Sequence, residues 1–231
     1  MKKILKEQLV IPQRRPQEYL VNKYYADPIA IVIVKMAYRL GLSPNLLTVI
    51  SLICGVLAAG SFLTQRWVVG AILLQFHLFF DLADGTLARL ANKQTEFGAK
   101  LDQISDEIVR FLLFPSIAIV SPVSLWAKIV FVVTIYLDVV IIHFYVLPFI
   151  RKNQLLRSPW KKWFLDQGII PGFDIFLVFV LISIFALIKR FDLLMYIVIV
   201  GKNLDWMYRV WECWRSVKWS KKAGDSTAKS N

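Results

Sequence analysis

The sequence of 231 residues has few of the residues that build disulfide-rich or thiolate-bound metal folds. Its only two cysteines are Cys54, inside an apolar run, and Cys213, near the basic C-terminal tail. This count excludes a disulfide framework and a CxxC metal site. Internal repeats and a separate stretch of soluble-domain composition are also absent. No apolar segment before Pro28 is long enough for the core of a cleaved signal peptide, so we expect insertion to depend on the first membrane helix.

Apolar residues are abundant instead. They make up 57% of the chain, with sixteen phenylalanines, and the mean hydropathy is +0.56, which predicts a polytopic membrane protein. The net charge of +12, from 28 basic and 16 acidic residues, is compatible with nucleic-acid binding. In a membrane chain, however, basic residues collect in cytoplasmic loops that face anionic lipid. We therefore predict membrane lipid, and no nucleic acid, as a partner.

The apolar runs predict an all-α protein with six transmembrane helices and an N-terminal interfacial amphipathic helix. The interfacial helix is expected to start with Asp27 as its N-cap, and it carries Lys35 and Arg39 on one face. A buried or spanning helix is the alternative for this segment. The six predicted spans cover residues 43–64, 66–91, 99–120, 125–150, 170–187 and 191–211.

Basic residues also predict the orientation in the membrane. With the N-terminus inside, only four of the 28 Lys and Arg residues fall on the outer side, which favours cytoplasmic termini and a cytoplasmic active site. Those four are Arg66, Lys128, Lys189 and Arg190. The predicted organisation is a cytoplasmic arm and juxtamembrane helix (1–42), a six-helix membrane domain (43–213) and a basic, disordered tail (214–231). The sixth span is the weakest, because Lys202, Asp205 and Arg209 interrupt it.

Four aspartates stand out in the segment 81–106: Asp81, Asp84, Asp102 and Asp106. If this segment forms two antiparallel helices joined near Lys93, each pair projects from one face of its own helix and the four carboxylates meet. Carboxylates in or near a bilayer need compensation. Clusters of oxygen ligands suit hard cations such as Mg²⁺ or Mn²⁺, so the segment predicts a metal site.

The spacing of these residues resembles the signature of the CDP-alcohol phosphotransferases. The segment reads DxxDG, two residues, AR, eight residues, G, three residues, D, three residues and D, and all eight signature positions are matched. The resemblance covers residues 43–106. It implies a membrane enzyme, usually a homodimer, that transfers a substituted phosphate from a CDP-linked donor to an alcohol hydroxyl and releases CMP. It further implies that Asp81, Asp84, Asp102 and Asp106 bind two metal ions and that Asp106 is also the general base.

Small and polar residues around the acids are candidates for nucleotide binding: Asn45, Thr48, Gly85, Ala88, Arg89 and Gly98. The glycines and the alanine leave room for a nucleotide against the helix backbones, and Arg89 can bind phosphate or cytidine. Close helix packing is the alternative explanation for the small residues. Simple helix capping is the alternative for Asn45 and Thr48.

The acceptor is less well defined by the sequence. Candidate acceptor-binding residues are basic side chains predicted at the cytoplasmic level of the membrane: Lys93, Arg110, Lys152, Arg157 and Arg209. Such a set favours a phosphorylated polyol as acceptor and CDP-diacylglycerol as donor, whereas contact with anionic lipid is the alternative role. Two rival hypotheses remain open. In one, a CDP-linked polar alcohol is the donor to a lipid or polyol; in the other, the same acids line a divalent-cation transporter.

Overall fold

A computed structural model describes the backbone of residues 17–153 and 155–228, and the side chains within these ranges as far as Lys218. Almost all of it is helical. The elements are β1 (Glu18–Tyr19), α1 (Asp27–Arg39), α2 (Pro44–Leu63), α3 (Trp67–Leu90), α4 (Glu96–Val120), α5 (Leu125–Ile141), α6 (Leu147–Lys152), α7 (Pro159–Asp166), β2 (Ile169–Ile170), α8 (Ile175–Leu187) and α9 (Phe191–Ala228). Two π-helical turns, Asn22–Ala26 and Ile142–Val146, lead into α1 and join α5 to α6.

Three helices in this described part are long and apolar enough to cross a membrane: α2, α3 and the continuous helix Leu125–Lys152. The other helices of the predicted spans are either shorter or more highly charged. Helix α8 is apolar but has only 13 residues. Helix α4 begins with charged turns, and charges also interrupt α9. The all-helical fold agrees with the prediction from sequence, apart from the pair of two-residue strands, and the count of six spans stays a prediction.

The start of α1 differs from expectation. Pro28 occupies the first turn, as predicted, but Asp27 is not the N-cap, because the chain is already helical through the π-helical turn before it. Ala30, Val34 and Ala37 form the buried face of α1. They pack against α2 and α3 in a small core with Leu47 and Leu87, which fixes α1 beside the part of α3 that carries the first two aspartates.

Helix α2 organises the site, because it packs extensively against both α3 and α4. A larger core of aromatic and aliphatic side chains joins α2, α3, α4, α5, α8 and α9 below the polar end. Ser43 caps α2 by accepting a hydrogen bond from the Leu46 amide. Thr95 caps α4 by accepting one from the Gly98 amide at 3.0 Å. Both residues are N-caps, so α2 and α4 begin beside the acidic motif.

Two further elements come from the two ends of the described chain, namely strand β1, which pairs with β2, and helix α9. The parallel pair β1 and β2 aligns Glu18 with Ile169 and Tyr19 with Ile170, so the N-terminal segment is tied to the loop before α8. Helix α9 continues to Ala228 and therefore runs through most of the segment 214–231 for which disorder was predicted. Residues 1–16 of the predicted arm and 229–231 of the predicted tail lie outside the described residues.

Candidate active site

Three of the four motif aspartates form one group. Asp81 lies near the C-terminal end of α3, and Asp102 and Asp106 lie in the first half of α4, after the turn 91–95. One carboxylate oxygen from each of these three residues lies within 4.8 Å of the other two. Such a set of close oxygens fits a hard divalent cation, because carboxylates at this separation repel one another without one.

Asp84 does not belong to this close group of three carboxylates. Three residues after Asp81, its side chain is rotated by about 60° around the helix axis. It is 5% exposed and accepts a hydrogen bond of 2.5 Å from the Thr48 hydroxyl. The expectation that all four carboxylates meet at one point therefore holds for three, while Asp84 lines the groove next to them together with Asp102.

Arg110 connects the acidic group to the far side of α4. Its guanidinium donates to Asp106 at 3.2 Å and to Glu107 at 2.5 Å. One of the two oxygens of Asp106, Oδ2, is thus oriented by a cation, as expected for a carboxylate one helical turn away.

A groove with a volume of about 280 Å³ runs between the ends of α2, α3 and α4. It brings together all six predicted nucleotide contacts and Lys93. Its lining residues are Pro44, Asn45, Thr48, Asp84, Gly85, Ala88, Arg89, Lys93, Gln94, Thr95, Gly98, Ala99 and Asp102. Arg89 donates only to the Thr86 hydroxyl, at 3.0 Å, and within residues 17–218 neither Arg89 nor Lys93 forms an ion pair. Arg89 and Lys93 can therefore bind an anionic ligand beside the acidic group.

The two glycines of the motif are not equivalent. A Cβ atom on Gly85 would meet only the end of the flexible Arg89 side chain, at 3.5 Å. A Cβ atom on Gly98 would come within 3.0 Å of Asn45 Oδ1 and 3.1 Å of Thr95 Oγ1. A side chain at position 98 would therefore crowd Asn45 and Thr95, whereas at Gly85 the missing side chain leaves open space in the groove.

A second cavity, of about 450 Å³, lies on the other side of α4 between α5, α8 and α9. Its polar lining residues are Tyr19, Gln103, Glu107, Arg110, Asp138, His143, Asp174, Lys202, Asp205 and Arg209. Of the predicted acceptor residues, Arg110 and Arg209 line this cavity and Lys93 lines the groove. Lys152, exposed at the end of α6, and Arg157 line neither.

Two polar features here were not predicted from the sequence. Tyr19, which β1 carries to the second cavity, accepts a hydrogen bond from Arg209 at 3.1 Å, and burial raises the pKa of its phenol, so it is neutral at physiological pH. His77 is buried one turn before Asp81, with Nδ1 2.8 Å from the Ser51 hydroxyl. Its spacing of four residues from Asp81 is the signal that the sequence offered. No local pattern marks Tyr19, because its neighbours come from distant parts of the chain.

Comparison with known proteins matches this arrangement to a family. The family model for CDP-alcohol phosphatidyltransferases covers residues 41–211, which include both cavities except Tyr19. The chain belongs to the CDP-alcohol phosphatidyltransferase family. The family-defining segment thus contains the acidic group, the groove and most of the second cavity.

Individual relatives resemble part of the chain. Archaetidylinositol phosphate synthase of Pyrococcus horikoshii is 36% identical over 74 residues, which are 32% of this chain and 39% of that protein. Phosphatidylinositol phosphate synthase of Corynebacterium glutamicum is 33% identical over 107 residues, 45% of this chain and 44% of that protein. The matched region therefore spans less than half of the length of each of these relatives.

Solved structures share the fold. Phosphatidylinositol phosphate synthase of Mycobacterium tuberculosis, in a crystal structure with CDP-DAG bound, superposes with a TM-score of 0.57 at 22% identity, over 82% of this chain and 95% of that chain. A structure of the same enzyme with manganese and citrate gives a TM-score of 0.55 at 21% identity, over 81% of this chain and 90% of that chain. At these identities the likeness shows the fold of the family and leaves activity to be argued from the site.

Proposed function

We propose that this protein is an integral membrane transferase that moves the phosphatidyl group of CDP-diacylglycerol to the hydroxyl of a polar alcohol and releases CMP, in phospholipid biosynthesis. The observation that carries the proposal is the position of the three close carboxylates directly beside a groove with two cations free of ion pairs. Family membership supports the reaction class. The donor is supported by the CDP-DAG in the solved structure of the M. tuberculosis enzyme.

The groove suits the nucleotide half of the donor. Arg89 and Lys93 provide positive charge for the two phosphates, and Gly85 leaves the backbone of α3 open to them. Asn45 lies against Gly98 across the groove, where its amide can hydrogen-bond to a base or sugar. Thr48 acts indirectly by holding Asp84 in position.

The acidic group suits the chemical step. Asp81, Asp102 and Asp106, with Asp84 nearby, would hold Mg²⁺ or Mn²⁺, most simply as two ions, and these ions would neutralise the pyrophosphate and orient the leaving CMP. Manganese in the solved structure of the M. tuberculosis enzyme supports this choice of ions.

Asp106 is placed to accept a proton, because Arg110 orients one of its oxygens and 31% of its side chain is exposed. The acceptor hydroxyl gives its proton to Asp106, and its oxygen bonds to the phosphorus that carries the diacylglycerol. The bond from that phosphorus to the bridging oxygen breaks, and the bridging oxygen leaves with CMP.

The membrane arrangement that goes with this function is six spans, with α1 lying along the cytoplasmic surface and both termini in the cytoplasm. The exposed face of α1 supports the interfacial position, because it combines Val32 and Met36 with Lys35 and Arg39. Residues 1–42, 43–213 and 214–231 would form the arm with this helix, the membrane domain and the tail. A homodimer follows from the family resemblance, and the mass of the purified protein in detergent would test it.

The deciding experiment measures CMP release from CDP-diacylglycerol by the purified protein with Mg²⁺ or Mn²⁺ and a panel of alcohols. We expect release that depends on the alcohol, disappears in Asp106→Asn and persists in Asp166→Asn, which changes an exposed aspartate of α7 away from both cavities. Release from a CDP-linked polar alcohol alone would overturn the donor assignment. Metal flux into liposomes, with no CMP release from any donor, would instead favour a transporter.

A further inference from the structure

The second cavity adjoins the acidic group and has the position expected of an acceptor site, since Arg110 lines it and contacts Asp106. Its charge balance is unusual for a site that binds a phosphate. The lining contains three cations, Arg110, Lys202 and Arg209. It also contains four carboxylates: Glu107, Asp138, Asp174 and Asp205.

Each of the three cations already has a carboxylate partner. Lys202 donates to Asp138 at 2.7 Å, and both side chains are almost fully buried. Arg209 donates to Asp205 at 2.8 Å.

Arg110 is shared between Asp106 and Glu107. The fourth carboxylate, Asp174, accepts hydrogen bonds from two backbone N–H groups at the start of α8. It forms no bond with any of the three cations of the lining.

A phosphorylated acceptor would therefore bind poorly here. Its phosphate would have to take a cation away from a carboxylate, and the abandoned carboxylate would remain in a buried place without compensation. The groove on the other side of α4 shows the contrasting arrangement, in which Arg89 and Lys93 have no carboxylate partner in the part of the chain whose side chains are described.

The same lining is suited to hydroxyl groups. Oδ1 of Asp138 is buried and accepts no hydrogen bond from the described residues, so it lacks a donor. Gln103 and the neutral Tyr19 offer further hydrogen-bonding atoms without adding charge, and His143 also lines the cavity. A polyhydroxyl compound can donate to the carboxylates and leave every ion pair intact.

We propose that the acceptor is a neutral polyol that carries no phosphate or carboxylate group. This inference rests on the proposed function, and it replaces the phosphorylated acceptor expected from the basic residues in the sequence. The pairing of all three cations of the lining with carboxylates is what excludes the phosphate.

The test uses matched pairs of alcohols that differ only by a phosphate: inositol with inositol phosphate, and glycerol with glycerol phosphate. With CDP-diacylglycerol and Mg²⁺ or Mn²⁺, we expect kcat/KM for at least one neutral alcohol to exceed that of its phosphorylated partner by about tenfold or more. A preference of the same size for the phosphorylated partners would overturn the inference while leaving the proposed function intact.

A variant sharpens the test by freeing a cation. Asp205→Asn keeps the size of the side chain but leaves Arg209 without its carboxylate, so we expect the ratio of kcat/KM for inositol phosphate over inositol to rise about tenfold. Asp166→Asn is the matched control and should leave the ratio unchanged. An unchanged ratio in a folded Asp205→Asn protein would contradict the role assigned to the ion pairs.

Binding is measured independently of turnover, so that the two proposals can fail separately. Thermal unfolding of the purified protein is followed with each alcohol of the two pairs. Stabilisation by a neutral member alone supports the inference even if CDP-diacylglycerol is not a substrate. Stabilisation only by the phosphorylated members, or by none of the four, contradicts it.

Discussion

The two cavities that flank α4 differ in how their cations are held. In the groove between α2, α3 and α4, Arg89 and Lys93 have no carboxylate partner among the side chains of residues 17–153 and 155–218. In the cavity between α5, α8 and α9, by contrast, every cation of the lining is paired. An unpaired cation can neutralise a ligand phosphate at little cost, but a buried ion pair resists being broken. Counting basic residues is therefore a poor guide to phosphate binding unless their partners are known.

The largest effect is expected at Asp106, the proposed base, which belongs to the acidic group and is bonded to Arg110 of the second cavity. Asp106→Asn keeps the size of the side chain but removes the base and one ligand oxygen charge. We expect CMP release to fall by about 10²- to 10⁴-fold. Near-normal release from a folded variant would show that another group accepts the proton. Thermal unfolding checks that Arg110, left with Glu107, does not destabilise the fold.

Arg89→Gln tests the unpaired cations of the groove. Loss of a charged contact to a phosphate is expected to raise the KM for CDP-diacylglycerol by about tenfold to a hundredfold, with a smaller increase for Lys93→Gln. Lys100→Gln, at an exposed position on α4 that lies outside the groove, is the matched control. If Arg89→Gln changed only the KM for the alcohol, the assignment of the two cavities would have to be exchanged.

Substituting the two glycines separates space for a ligand from helix packing. Gly85→Ala should leave thermal unfolding unchanged and raise the KM for the donor by about tenfold, since its Cβ meets no rigid atom of the protein. Gly98→Ala should lower the free energy of unfolding by about 1 kcal/mol, because its Cβ would lie 3.0 Å from Asn45 Oδ1 and 3.1 Å from Thr95 Oγ1 and both side chains would have to shift. A destabilised Gly85→Ala protein would mean that packing explains both glycines.

The smallest effect is expected at Tyr19, on the paired side of the comparison. Tyr19→Phe removes one hydrogen bond to Arg209 but leaves its bond to Asp205, so the KM for the alcohol should rise by about two- to tenfold. The raised pKa of Tyr19 keeps the phenol neutral, and the pH profiles of the variant and the natural protein should coincide between about pH 6 and pH 9. A divergence of the two profiles would assign the phenol a role in proton transfer.

Prediction from the sequence was most successful where contacts are local. The spacing of Asp81, Asp102 and Asp106 depends on helical periodicity and on one short turn, and these acids meet in the structure. It was least successful at Asp27. The cap rule assumes a non-helical residue at that position, but the preceding residues form a π-helical turn.

For the charged residues of α9, the sequence showed their presence but not their partners. Lys202, Asp205 and Arg209 made the last span doubtful as a membrane helix. In the structure they point into the cavity, where Asp138 of α5 and Tyr19 of β1 compensate for two of them. These partners lie 64 and 190 residues away in the chain.

The sequence by itself determined the membrane class, the helical fold and the acidic motif, because composition and short-range helical spacing encode them. The family resemblance indicated the residues that line the groove. Only the tertiary structure decided that Asp84 stays outside the close group of three carboxylates, that Gly98 lies against Asn45 and Thr95, and that the cations of the second cavity are paired with carboxylates. These properties depend on the approach of helices that are distant in the chain. Local spacing carries no information about which carboxylate a lysine or arginine will meet.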